Sequence, residues 1–216
     1  MWELSGIYPE VKNGSRLSYG GNQMLSPDPV IRKCGCGPVA AVDLILYLKR
    51  RRSPAEPFRF PLVYYNEKLS AACRRYFPLI PPFGINGLLF ILGLNRFFHD
   101  EALPYRARWC LSGAKLWSRV EELLTQDLPV ILSVGPNFPA VWEKYRLTFY
   151  RRAKDGRYLP ASGAKSHYVT ATGIDPEWLR IASWGQEFYI SRSEYDRFVK
   201  EHSSYLFSNL VYLEKQ

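Results

Sequence analysis

The sequence predicts one α+β domain, residues 1–216, in which helices come first and an antiparallel sheet follows. Residues 36–126 carry apolar residues at helical spacing, whereas residues 127–216 contain short β-branched and aromatic runs separated by turn residues. Helix and strand signals are therefore segregated along the chain, which is typical of α+β folds. The chain shows no internal repeat and no linker long enough to divide it, so a single domain is expected.

The first element with a strong signal is a helix that begins at Cys36. Residues 1–35 are rich in turn formers, so we interpret them as an ordered loop with a short hairpin. From Cys36 the chain is apolar on nearly all sides, with Asp43 as the one charge before the basic run Lys49–Arg52, which predicts a buried central helix. Pro38 suits the first turn of that helix, and the basic run favours a solvated C-terminal end.

The remaining elements follow from periodicity and turn residues. Further helices are predicted at Tyr64–Tyr76, Asn86–Phe97, Lys115–Thr125 and Ser193–Lys200. Strands are predicted at Tyr105–Cys110, Pro129–Val134, Arg146–Arg152, His167–Thr172, Trp178–Trp184, Glu187–Ile190 and Tyr205–Leu213.

Composition and charge limit the classes of function. The net charge of +9 would suit acidic partners, but the basic residues form short separate clusters that we interpret as solvated surface, so no nucleic-acid partner is expected. No run of 18 apolar residues exists, so no membrane span is expected. The N-terminus lacks the pattern of a Sec signal peptide, which favours a cytoplasmic location with reduced thiols.

The cysteines and histidines do not have metal-ligand spacing. The sequence has four cysteines and three histidines, and neither a metal nor an organic cofactor is expected. Cys73 and Cys110 are interpreted as small core residues. Cys34 and Cys36 compete as a reactive thiol, and we favour Cys36 because the positive end of the helix dipole stabilises a thiolate there.

Three residue types needed for nucleophilic catalysis occur in order along the chain. Cys36 is the candidate nucleophile, and His167, at the start of a β-branched run, is the candidate general base. Gln23, after the pair Gly20-Gly21, carries an amide that, with the backbone N–H of Cys36, could bind an oxyanion. For Gln23 to reach, the intervening residues Leu25–Lys33 must loop out.

This order of motifs resembles the papain-like cysteine peptidases. The resemblance rests on Gln23, Cys36-Gly37-Pro38, Ser166-His167-Tyr168-Val169 and Ser183-Trp184-Gly185. It covers roughly residues 20–200 and is closest to the bacterial double-glycine leader peptidases, the bacteriocin-processing branch, and their stand-alone relatives. His167 follows Cys36 by 131 residues, within the window of about 130–150 seen in papain-type enzymes. The resemblance implies a papain-like fold and a cysteine peptidase that cleaves a peptide or isopeptide bond in a peptide or protein substrate.

One position departs from the family pattern. The resemblance implies an Asn or Asp that orients the histidine two residues before Trp184, and here that residue is Ala182. Ser183 is expected on the other strand face, so it could orient His167 only if the strand bulges or shifts register. Gln186 is another candidate for this role. Two alternatives stay open: a catalytically retired domain that binds a peptide or protein in the cleft, and acyl transfer to an amine by the same Cys–His chemistry.

Overall fold

The computed structural model describes residues 2–110, 112–135 and 145–216, and it is a mixed α and β fold with a large antiparallel sheet. In chain order its helices and strands are β1 (Trp2–Glu3), β2 (Glu10–Asn13), β3 (Arg16–Tyr19), α1 (Pro29–Cys34), α2 (Cys36–Arg52), β4 (Arg59–Pro61), α3 (Leu62–Arg75), α4 (Gly87–Asp100), β5 (Tyr105–Trp109), α5 (Leu116–Thr125), β6 (Val130–Val134), β7 (Leu147–Arg152), β8 (Tyr158–Ala164), β9 (His167–Ile174), β10 (Trp178–Ser183), β11 (Gln186–Ser191), α6 (Arg192–His202) and β12 (Leu210–Lys215). Short 3-10 turns lie at Gln23–Leu25 and Gly113–Lys115.

The chain forms two compact units. The sheet unit comprises Met1–Leu4, Cys110–Ala182 and Glu187–Tyr212. The helical unit comprises Ser5–Trp109, Ser183–Gln186 and Leu213–Gln216. The sequence analysis places the change from helix to strand near residue 127, whereas the change between units lies near residue 110 because α5 packs with the sheet.

In the sheet unit, the strands follow the order β12-β6-β9-β10-β11-β7-β8, and β1 pairs with β9. All five residues of β6 are buried, which explains its continuous apolar sequence. Helix α5 packs on β6 and β9, and α6 packs on β7. The hydroxyl of Tyr195 on α6 donates a hydrogen bond of 3.0 Å to the carbonyl oxygen of Ser133, which links α6 to a central strand.

In the helical unit, α2 is the central element. Residues 37–48 are buried without a break, as the sequence predicts, and α2 packs against both α3 and α4. A hairpin of β2 and β3 precedes it, and β4 adds to β2 in parallel with Val11 opposite Phe60. The hairpin expected within residues 1–35 is therefore confirmed.

Residues 29–34 correct the expectation of a loop before Cys36. They form α1, and Asp28 caps it by accepting hydrogen bonds from the backbone N–H groups of Val30 (2.7 Å) and Ile31 (3.4 Å). The Pro-Asp-Pro cluster that resembles a turn is a helix start, because Asp is a good N-cap and Pro29 occupies the first helical position. Leu25–Lys33 is therefore mostly helical, and it folds back so that the Gln23 amide bonds the carbonyl oxygen of Arg32, close to the start of α2.

The basic run Lys49–Arg52 forms the last turn of α2, where Arg51 and Arg52 are exposed. The solvated C-terminal end that the sequence predicts is therefore confirmed. Lys49 pairs with Glu101 at 2.9 Å, and the guanidinium of Arg51 donates to the hydroxyl of Tyr105 at 2.7 Å. The end of α2 is therefore bonded to the segments that follow α4.

In the second half, the structure adds one strand and moves two boundaries. β8 was not predicted, because Pro160 and Gly163 weaken its strand signal, and it lies at the edge of the sheet, where such residues are tolerated. Helix α6 is capped by Ser191, not Ser193. The last strand begins at Leu210, because Ser204–Phe207 forms a turn. The other predicted helices and strands agree with the structure to within about three residues.

Candidate functional site

Cys36 is the first residue of α2, a helix of 17 residues. Gly35 separates α1 from α2 and serves as the N-cap of α2, and as a glycine it makes no side-chain hydrogen bond to the start of the helix. The Cys36 side chain is half-buried. A sulfur at this place lies at the positive end of the helix dipole, which stabilises a thiolate.

Cys34 has the opposite environment, two residues earlier. It is the last residue of α1, and its thiol donates to the carbonyl oxygen of Val30 at 3.1 Å. Burial raises the pKa of Cys34 above its usual value. Because both burial and the C-terminal end of a helix disfavour a thiolate, Cys34 is the weaker candidate nucleophile.

Gln23 lies in the same unit as Cys36, at the start of a 3-10 turn that packs against α1. Its side chain is buried, and its amide nitrogen donates to the carbonyl oxygen of Arg32 at 3.3 Å. Arg32 precedes Cys36 by four residues, so this bond ties Gln23 to the segment that leads into α2. The amide has a second N–H, which is the one available to an oxyanion.

His167 belongs to the sheet unit, where it is the first residue of β9 and pairs with Val134 of β6. The side chain is buried, and burial lowers the pKa of the imidazole from 6.5 to about 3. At neutral pH the ring is therefore uncharged, which is the form that accepts a proton. The regular pairing of β9 with β6 puts His167 on the same sheet face as Val169 and Ala171.

The register between β9 and β10 corrects the expectation for Ala182. Ile181 pairs with Ala171 and Ala182 pairs with Thr170, so Ala182 lies on the sheet face opposite to His167. The cause is a β-bulge: the pairing shifts between Arg180 and Ile181, and Thr172 is the extra residue of β9.

Ser183 is the residue after Ala182 and the last of β10. Because side chains alternate along a strand, Ser183 lies on the same sheet face as Ile181. Ile181 pairs with Ala171, which shares a sheet face with His167, so Ser183 is on the His167 face. The bulge that the sequence analysis required for Ser183 is therefore present. Gln186, after the turn of Trp184 and Gly185, is exposed.

No family model, curated protein or solved structure matches this chain. The argument for function therefore depends on the side chains themselves. Over residues 2–110, 112–135 and 145–216, no three His, Cys, Asp or Glu residues cluster as metal ligands would. In the same ranges, no helix has the length and apolar content that crossing a membrane requires.

Asp43, the one charge before the basic run of α2, is buried, and the structure shows the groups that bond its carboxyl. The backbone N–H of Gly21 donates to both carboxylate oxygens, at 3.1 and 3.0 Å. The hydroxyl of Tyr65 donates to Oδ1 at 2.7 Å, and that of Tyr8 donates to Oδ2 at 3.3 Å. Asp43 is therefore a hydrogen-bonded carboxyl inside the helical unit. The backbone N–H that it binds belongs to Gly21, which precedes Gln23 by two residues. The signals in the sequence were the lone acidic residue of α2 and the Gly20-Gly21 pair.

Proposed function

We propose that this chain is a cysteine hydrolase of papain-like fold that cleaves a peptide or isopeptide bond. The observation that carries the proposal is the place of the half-buried Cys36 as the first residue of a long buried helix. The other thiols are less suited to attack. Cys34 and Cys110 are buried, and burial raises the pKa of Cys73 to about 12.

In the proposed reaction, the Cys36 sulfur attacks the carbonyl carbon of the substrate, and His167 accepts the thiol proton. The carbonyl oxygen becomes an oxyanion, which accepts hydrogen bonds from the Gln23 amide and the Cys36 backbone N–H. The C–N bond breaks, His167 returns its proton to the leaving amine, and an acyl-thioester remains. Water then attacks the thioester with His167 as base, releasing the carboxylic acid and the thiol. This chemistry requires no metal or organic cofactor.

Burial lowers the pKa of His167 to about 3, so the ring by itself is a weak base and not a permanent cation. Burial alone makes the imidazolium unfavourable, so the ring is neutral until a negative charge such as the Cys36 thiolate compensates it. Ser183 is the candidate residue that orients the imidazole ring, because the register of β9 and β10 puts both residues on one sheet face. We further propose a peptide or protein substrate, acidic in character because the chain is basic, and a reducing cytoplasmic setting in keeping with the free cysteines.

The test is the rate at which iodoacetamide alkylates Cys36, with the modified peptide identified by mass. At pH 6.5 we expect wild-type Cys36 to react at least about 10-fold faster than a free thiol of pKa near 8.5. His167→Ala should remove this advantage. Cys34→Ser is the matched control, since it changes a neighbouring thiol that is buried and bonded to Val30; it should react like wild type.

A Cys36 that reacts no faster than a free thiol, in both wild type and His167→Ala, would contradict the proposal. The chain would then be better described as a retired domain that binds a peptide or protein in its cleft.

A further inference from the structure

Asp43 and Cys36 lie along one side of α2. They are separated by seven residues, which is close to two full helical turns, so their side chains project in nearly the same direction about 10 Å apart along the axis. The carboxyl of Asp43 is thus directed to the side of α2 on which the candidate nucleophile stands.

The segment Gly20–Gly21 approaches the Asp43 carboxyl closely because neither residue has a side chain. Gly20 has a φ of +75°, and a Cβ atom added there would collide with Asp43 Oδ2. A Cβ atom added at Gly21 would collide with the hydroxyl of Tyr65, which itself donates to Asp43. Only glycine at both positions lets the Gly21 N–H reach the carboxylate.

The same turn continues directly into the candidate oxyanion donor. Asn22 follows Gly21, and its side chain accepts from the backbone N–H of Met24 at 3.0 Å, which caps the 3-10 turn. Gln23 is therefore two residues from the backbone N–H bound by Asp43. Its other attachment is the 3.3 Å bond to the carbonyl oxygen of Arg32. The Gln23 side chain is thus held by α1, and the backbone two residues before it, at Gly21, is held by Asp43.

We propose that Asp43 is a positioning residue for catalysis: by binding the Gly21 N–H, it holds the Gly20–Gln23 turn against α2 and sets the place of the Gln23 amide relative to Cys36. Tyr65 and Tyr8 complete the arrangement by bonding the two carboxylate oxygens. The inference rests on the proposed function, because it assigns Asp43 a role only through the oxyanion donor Gln23.

Two reactions of the same sulfur separate this role from a purely structural one. Alkylation by iodoacetamide displaces iodide and forms no oxyanion, so it reports on the Cys36 thiolate alone. Acylation by p-nitrophenyl acetate passes through a tetrahedral oxyanion, so it also reports on the donors around it. The readout is the ratio of the Cys36-dependent acylation rate to the alkylation rate, with Cys36→Ser subtracted as background.

We expect Gln23→Ala and Asp43→Asn each to lower this ratio by about 10- to 100-fold, with alkylation changed less than about 2-fold. The double variant should be no worse than Gln23→Ala alone, because Asp43 acts through Gln23. Asp100→Asn is the matched control: it makes the same carboxyl-to-amide change in the helical unit, at a carboxylate that also accepts a tyrosine hydroxyl bond, from Tyr76 at 2.9 Å. Its ratio should equal that of wild type.

The inference is overturned if Gln23→Ala lowers the ratio and Asp43→Asn does not, or if the two losses multiply in the double variant. A wild-type Cys36 that is not acylated, or a ratio unchanged in Gln23→Ala, would instead overturn the proposed function itself, and the role of Asp43 with it. Loss of fold is recognised separately, because it would expose Cys34 and Cys110, which are buried in the native protein, to alkylation.

Discussion

Asp43 is subject to two opposing effects. Burial raises the pKa of its carboxyl from 3.8 to about 7, although the hydrogen bonds from Tyr65, Gly21 and Tyr8 favour the ionised form and lower it. The groups that face the carboxyl are the two phenols and a backbone N–H, and among the described residues no cation bonds to it. Ionisation near neutral pH therefore costs stability, while it supplies the acceptors that hold the Gly20–Gln23 turn.

This predicts a pH-dependent difference in stability between wild type and Asp43→Asn. Because the folded pKa lies above the unfolded value, the native state binds more protons between about pH 4 and 7, and the contribution of this carboxyl to stability is lost as the pH rises through that window. From pH 4 to 8, the free energy of unfolding of wild type should fall relative to the variant by up to about 4 kcal/mol. Urea unfolding at pH 4, 6 and 8 measures it.

The comparison isolates Asp43 because other titrating groups are shared. His167, whose lowered pKa reduces stability as the pH falls below 6.5, is present in both proteins and cancels in the difference. A difference in unfolding free energy that stays constant from pH 4 to 8 would show that the carboxyl is not shifted as described.

Among the secondary-structure elements, the pair β9 and β10 decides which residues share the face of His167. The bulge at Thr172 shifts the pairing of the two strands by one residue. As a result, Ile181 lies on the face of His167 and Ala182 lies on the face of Thr170. Without it, the pairing that begins at Leu179 would continue and would exchange the faces of Ala182 and Ser183. One extra residue in β9 thus determines which side chain of β10 is the candidate orienter.

A pair of small substitutions tests this assignment. Ser183→Ala should slow the Cys36-dependent acylation by p-nitrophenyl acetate a few-fold, about 3- to 10-fold, because a side chain that orients His167 is lost. Ala182→Ser is the matched variant on the opposite face and should leave the rate unchanged. Equal rates for wild type and Ser183→Ala would remove Ser183 from the site and leave Gln186 as the candidate orienter.

The elements also show how far local patterns extend. Helices α3 to α5 were predicted closely because their apolar periodicity is strong, and α2 because it is apolar on nearly all sides. Local signals such as the Asn86 cap of α4 mark the helix ends. α1 was missed because six residues are too few for a periodic pattern. β8 was missed because its strand structure depends on pairing with β7 and not on its own composition.

For the whole molecule, the net charge of +9 predicts a preference among peptides. A peptide rich in Asp and Glu should protect Cys36 from iodoacetamide more than a peptide of the same length rich in Lys and Arg, because a basic surface raises the local concentration of acidic ligands. The protection should weaken as the ionic strength rises from about 0.05 to about 0.5 M, where the Debye length falls to only a few ångströms. Protection that is equal for both peptides, or insensitive to salt, would contradict an acidic substrate.

The sequence by itself determined the α+β class, the buried helix α2 and the placement of Cys36 at its first residue. These properties depend on periodicity, composition and capping signals within about 20 residues, all of which are local. The candidate roles of Gln23, Cys36, His167 and Ser183 stay predictions, and they rest on the residue types and their order along the chain.

Only the tertiary structure decided the contacts that join distant segments. It brought Gly21 and Tyr65 to the carboxyl of Asp43, and it set the bulge that separates Ala182 from the face of His167. None of these contacts has a local signature, because hydrogen-bond partners and strand register are chosen by packing between separate segments, which for Gly21 and Asp43 lie 22 residues apart. The physical reason is that the residue type fixes the functional group of a side chain, whereas the groups that surround it depend on how the chain folds.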